Sequence, residues 1–161
     1  MKKSYVIRFK PLIISLLISL GVGALSGFLT KDSMKIYQSL IQPPLAPPPW
    51  VFPVVWTVLY ILMGISAYLV FMSHAPEAQK ATALTIYALQ LAVNFIWPIL
   101  FFNLGWILFA FFWLLLLIVL IVWMIVLFHR VSPLAAYLQI PYLVWTIFAG
   151  YLNLGVYLLN R

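Results

Sequence analysis

Residues 106–128 read WILFAFFWLLLLIVLIVWMIVLF, a run without a single charge. A mostly apolar stretch of about 20 residues is what a helix needs to cross the hydrocarbon of a bilayer. Working outward, the eleven charged residues of the chain, nine basic and two acidic, all fall at positions 2–10, 31–35, 77–80, 130 and 161. The intervals between them supply four more runs of the same kind, so the predicted spans are Pro11–Thr30, Trp50–Ser73, Ala81–Phe102, Trp106–Phe128 and Leu134–Leu159. Strands of a membrane barrel would be about 10 residues long with alternating polarity, a pattern this chain lacks. Inside lipid each backbone N–H and C=O needs an internal partner, which only helices give here. The predicted fold is therefore all-α: one integral membrane bundle of five transmembrane helices, a single domain over residues 1–161.

Composition agrees. The chain is 66% hydrophobic and 7% charged with a mean hydropathy of +1.15, against roughly 25% charged residues in a soluble domain. Its net charge of +7 could point to nucleic acid, but Lys2, Lys3, Arg8 and Lys10 flank the first span and are better explained by membrane orientation. An odd number of spans puts the termini on opposite sides. Lys2, Lys3, Arg8, Lys10, Lys80 and Arg130 collect on the N-terminal side, and only Lys31, Lys35 and Arg161 on the other. The positive-inside rule then places the N-terminus in the cytoplasm and the C-terminus across the membrane. The basic start, the apolar run from Leu12 and Ala24-Leu25-Ser26 also imitate a cleavable signal peptide, but the run is long for one and is read as a span. Absence of cysteine excludes disulfides, thiolate metal sites and haem thioether attachment.

Residues 31–49 end in Pro43, Pro44, Pro47, Pro48 and Pro49, which predicts a stiffened loop folded over the bundle. The other connections are short: His74–Lys80, Asn103-Leu104-Gly105 and His129–Pro133. Sequential helices should then be antiparallel neighbours.

At about 100° per residue, Ala81, Thr85, Ala88 and Ala92 form a small-residue stripe on the third span, the usual form of a helix-packing or dimer face. The opposite face carries Tyr87, Gln90, Asn94, Trp97 and Phe101. Two amides facing lipid would be costly, so this face points inward, either as a cavity wall or to hydrogen-bond neighbouring helices. The fifth span repeats the pattern with Leu138, Tyr142, Trp145, Ala149, Leu152, Asn153 and Val156, above a kink expected at Pro141. On the second span Pro53, Trp56, Tyr60 and Gly64 share a side. Gly23 and Gly27 of the first span form a GxxxG match, read as close packing. Trp50, Trp106 and Trp123 lie near span ends as interface-belt residues, whereas Trp56, Trp97 and Trp145 sit deeper. His74 and His129 are isolated and define no metal site. Leu154, Tyr157 and Arg161 fit a proposed sterol-contact pattern.

Four blocks carry a family resemblance: Pro48–Trp56 through Met63-Gly64, Gln90–Pro98, Val131–Ala136, and Pro141–Trp145 through Phe148-Ala149 and Leu152-Asn153. In that order, on those spans, they resemble the TspO/MBR family, the tryptophan-rich sensory and translocator proteins. The resemblance implies a five-helix bundle, often a homodimer, with a pocket opening toward the first loop for porphyrins, haem, sterols or synthetic aromatic ligands, and no obligatory cofactor. Carried over residue by residue, the pocket comprises Tyr37, Pro47, Trp56, Asn94, Trp97, Trp106, Trp145, Ala149 and Leu152. Some relatives have Trp-Tyr where this chain has Ile36-Tyr37, which leaves contacts from the first loop the weakest part of the transfer. Flat apolar ligands gain affinity against aromatic walls while a few polar groups fix their orientation. A receptor or translocator for such ligands uses every feature of the sequence. The resemblance also allows an enzyme, a light-dependent porphyrin breakdown involving Trp56 and Trp145. An ion-coupled transporter ranks last, because no span holds an ionisable acid or base of the kind that carries protons.

Overall fold

In hydrocarbon a chain without barrel strands satisfies its backbone by coiling, and each uncharged run does so. The computed structural model describes residues 6–161, with no strand among the described residues and five helical stretches long and apolar enough to cross a membrane. Lys2 and Lys3, which contribute to the orientation reading, lie outside the described residues. The helices are α1 (Phe9–Thr30), a short α2 (Met34–Gln38), α3 (Val51–Phe71), α4 (Glu77–Pro98), α5 (Ile107–Val131), a short α6 (Pro133–Leu138) and α7 (Ile140–Asn160).

Three spans depart most from those expected. The first helical run does not stop at Thr30 but continues through a 3-10 turn, Lys31–Ser33, into α2. No proline interrupts it before Pro43, so only residues 39–50 form the loop. The third span starts earlier, at Glu77 behind Pro76, and ends in a wide π turn, Ile99–Asn103. There the Leu104 N–H reaches back five residues to the Ile99 carbonyl at 3.0 Å. The fifth span is two helices broken at Gln139. Pro141 has no N–H to offer the Tyr137 carbonyl, and the Gln139 N–H instead closes a tight turn on Ala136 at 3.0 Å. The kink thus lies two residues before the proline that causes it.

Around the bundle, α1 packs on α3, α3 on α6, α6 and α7 on α5, α5 on α4, and α4 on α1. The spans stand in the ring order one, two, five, four, three. Close approach of α1 and α3 depends on Gly64, where a Cβ would lie 2.8 Å from Ser19 Oγ and 3.1 Å from Leu16 Cα. Ser15 and Ser19 add hydrogen bonds to the Gly64 and Tyr60 carbonyls, 2.6 and 2.8 Å. The half of the bundle nearest the 72–76 and 131–133 connections is filled by Met63, Val70, Ile121, Met124 and Phe128, all fully buried. Ser66 Oγ donates to the Ala135 carbonyl there at 2.6 Å, tying α3 to α6. In the other half, α3 and α7 face each other across a space.

Candidate functional site

That space is a cavity of about 790 Å³ on the side of residues 31–50. Four spans wall it: α1 with Leu20, Gly23, Ala24 and Gly27; α3 with Phe52, Trp56 and Tyr60; α4 with Asn94 and Trp97; α7 with Trp145, Ala149, Leu152 and Asn153. Tyr37, Gln38, Pro49 and Trp50 complete the rim, and Phe101 and Phe102 of the π turn the far side.

The aromatic rings brace one another. Phe52 meets Trp145 edge-on at 6.0 Å, Trp56 leans on Tyr60 at 5.9 Å, and Trp97 lies against Phe101 at 5.3 Å. Tyr37 packs edge-on against Phe102 at 5.3 Å, so the rim closes by ring contacts without the Trp-Tyr pair. Such pairs each add about 0.5–1.5 kcal/mol beyond the area they bury, which keeps the wall in shape. Polar groups are few and mostly engaged. Asn94 Nδ2 donates to Tyr60 Oη at 3.1 Å, and the Trp97 indole N–H donates to Asn153 Oδ1 at 3.0 Å. Asn153 in turn donates to the Ile107 carbonyl at 2.9 Å, fixing the Trp97 ring through α5. The indole N–H of Trp145 is buried and has no hydrogen-bond partner among the described residues.

Of the expected pocket residues, the structure brings Tyr37, Trp56, Asn94, Trp97, Trp145, Ala149 and Leu152 onto one wall. Pro47 and Trp106 are not on it. Trp106 caps α5 facing outward, 55% exposed, with its ring edge-on to Phe109 at 6.0 Å; no α5 residue reaches the cavity. Pro47 is held off because the loop before it is drawn over α7, and Pro49 takes the rim position instead.

That draw is a specific latch. Asn160 grips the backbone of Ile41 on both sides, accepting from its N–H at 2.9 Å and donating to its carbonyl at 2.9 Å. Tyr151 Oη donates to the Pro44 carbonyl at 2.7 Å. Pro43 is seated on Gly155, where a Cβ would come within 2.6 Å of the proline ring. Leu154, Tyr157 and Arg161 of the sterol-contact pattern flank this latch, outside the cavity wall.

Both open readings of the amide face apply, to different residues. Tyr87, Gln90, Asn94, Trp97 and Phe101 are all buried. Asn94 is cavity wall, whereas Gln90 accepts from Tyr142 Oη at 2.7 Å and joins helices beneath it. The packing reading of GxxxG holds for Gly23, which abuts the Tyr60 ring, but Gly27 opens onto the cavity, where an added Cβ would meet nothing within 4 Å. The first span is the wall that sequence reasoning missed; the run of small residues from Gly23 to Gly27 was its only signal. Ala81, Thr85, Ala88 and Ala92 all face outward and exposed. His74 and His129 are exposed at the end away from the cavity.

A sequence model of the TspO/MBR family matches residues 14–159, covering all five spans. The chain belongs to the TspO/MBR family. It is 35% identical over 149 residues to the tryptophan-rich protein TspO of Chlorobaculum tepidum, covering 92% of this chain and 94% of that one. It is 40% identical over 144 residues to the translocator protein of Bos taurus, covering 86% and 83%. It is 34% identical over 154 residues to the tryptophan-rich sensory protein of Cereibacter sphaeroides, covering 92% and 91%. As a TspO/MBR protein with five apolar helices, the chain is a multi-pass integral membrane protein. The blocks of family resemblance sort by position. Those on the second, third and last spans supply the cavity wall, while Val131–Ala136 lies at the opposite end, where Ala135 and Ala136 are buried in packing.

Proposed function

We propose that this TspO/MBR protein is a membrane receptor, sensor or translocator whose cavity binds porphyrins, such as protoporphyrin IX or haem, and other flat apolar molecules including sterols. The observation that carries this reading is the cavity itself: about 790 Å³, walled by Phe52, Trp56, Trp97 and Trp145 with Asn94 among them. Ligand sites typically measure 300–1,000 Å³ and combine apolar walls with a few placed polar groups. The sensory and translocator names of the relatives support the same role. Haem enters this reading as a ligand held by ring contacts, with no residue assigned to its iron.

Quenching of tryptophan fluorescence by protoporphyrin IX tests it. Asn94→Ala should weaken binding about ten-fold, the scale of one hydrogen bond plus the rearrangement of its partner Tyr60, and Ala149→Leu should weaken it further by filling the wall. Affinity unchanged in both variants moves the site elsewhere.

A second reading, light-dependent porphyrin breakdown with dioxygen as oxidant, is favoured by Trp56 and Trp145 sharing the wall. Under illumination, loss of porphyrin absorbance should then slow in Trp56→Phe and Trp145→Phe. Equal loss in the variants and the parent removes it. The reading also includes a homodimer through the exposed stripe Ala81, Thr85, Ala88 and Ala92, because small residues let helices approach closely.

A further inference from the structure

At the end of the bundle away from the cavity, the break between α6 and α7 leaves a groove of about 280 Å³ against the last turns of α5. Its length is apolar, with Ile125, Val126 and Ile140 along it and Ala136 among its lining residues. Ala136 is 1% exposed, while Val126 and Ile140 are 44% and 41% exposed, so the groove opens to the outside of the bundle, where hydrocarbon is the solvent. At the end of α5 it carries His129, packed edge-on to Tyr137 at 5.9 Å, and Arg130.

Among the described residues no acid pairs with Arg130. The sequence contains two acids. Glu77 is paired with Lys80 at 3.3 Å, and Asp32 follows α1 at the opposite end of the bundle. Arg130 lies exposed in the last turn of α5, and a guanidinium at the membrane boundary with no acid beside it attracts an anion from outside the chain. An apolar groove that ends in an unpaired cation matches a molecule with a hydrocarbon chain and a negative head.

We propose that this groove is a binding site for one anionic phospholipid, with an acyl chain along Ile125, Val126 and Ile140 and the headgroup phosphate on Arg130. A free phosphate would leave the groove empty, and an uncharged sterol would leave Arg130 without its anion. Native mass spectrometry of the full chain released from nanodiscs of phosphatidylcholine with a minority of phosphatidylglycerol tests it. The parent protein should retain one phosphatidylglycerol in preference to phosphatidylcholine. Arg130→Gln should reduce that preference about five-fold, the worth of one basic residue at an anionic surface. Ile140→Trp, which fills the groove and leaves the charge, should reduce retention of both lipids. Lys10→Gln, a cation at the same end but outside the groove, should change nothing. Equal retention of the two lipids, an unchanged preference in Arg130→Gln, or an equal loss in Lys10→Gln overturns the site. So does an Ile140→Trp variant that keeps its lipid.

Discussion

A methyl group added at Gly23 would meet Cδ2 and Cε2 of Tyr60 at 2.5 Å, whereas one added at Gly27 would meet nothing within 4 Å. Tyr60 cannot easily retreat, because its hydroxyl accepts from Asn94 and its ring lies on Trp56. Gly23→Ala should therefore lose about 1–3 kcal/mol of stability, the usual cost of overpacking, seen as a lowered Tm in detergent. Gly27→Leu should keep its Tm and still bind protoporphyrin IX more weakly, since its side chain extends into the cavity. A Gly27→Leu variant with parental affinity would take α1 out of the ligand's surroundings. The sequence alone could not separate these two glycines, which sit at equivalent places in one motif; what divides them is the lean of α1 against α3, set by Gly64 at another position. Gln90 and Asn94 show the same limit. Their shared inward face was legible from helical spacing, but which one meets the cavity depends on where α3 and α7 part.

At the scale of elements, the five helical runs were legible because charge is excluded from hydrocarbon, and their ends were not, because the interface tolerates both helix and loop. Lys31–Gln38 carries Lys31, Asp32 and Lys35 yet remains helical, held in part by Ser33 Oγ donating to Asn103 Oδ1 at 2.6 Å and by Asn103 Nδ2 donating to the Leu29 carbonyl at 3.0 Å. Prolines predicted a stiff loop after it, but not its seat. That seat is made by Asn160, beyond the last block of family resemblance, and by Tyr151, which stands between that block's matching residues. If ligand passes beside this loop, the latch sets the rate. Asn160→Ala removes two backbone hydrogen bonds of about 1 kcal/mol each, so release of bound porphyrin in stopped-flow should accelerate by roughly ten-fold or more. Tyr151→Phe, with one bond lost, should give a smaller acceleration. Unchanged release in Asn160→Ala would mean that ligand leaves between the helices instead.

For the whole molecule, charge sets direction. Among the described residues Arg8, Lys10, Lys80 and Arg130 stand at one end of the bundle and Lys31, Lys35 and Arg161 at the other, and Lys2 and Lys3 extend the first group in sequence. Six basic residues against three, all close to span ends, favour the first group on the cytoplasmic side. The cavity, which lies at the other end, would then face the outer half of the membrane and the latched loop its outer surface, so orientation also determines from which side a ligand arrives. Because the chain has no cysteine, single substitutions report directly. Gln38→Cys on the rim of the cavity should react with a membrane-impermeant maleimide added to spheroplasts, and the exposed Ala78→Cys near Glu77 should react only after the membrane is opened. The reverse pattern would turn the protein over and put the cavity on the cytoplasmic side. Ala88→Cys uses the same background to test the dimer. It lies on the exposed stripe of α4, and should form a disulfide-linked dimer on mild oxidation if two copies pack there, while Val119→Cys, also exposed, on α5, should stay monomeric. Cross-linking of Val119→Cys and not Ala88→Cys would move the contact between copies from the small-residue stripe to the leucine-rich face of α5.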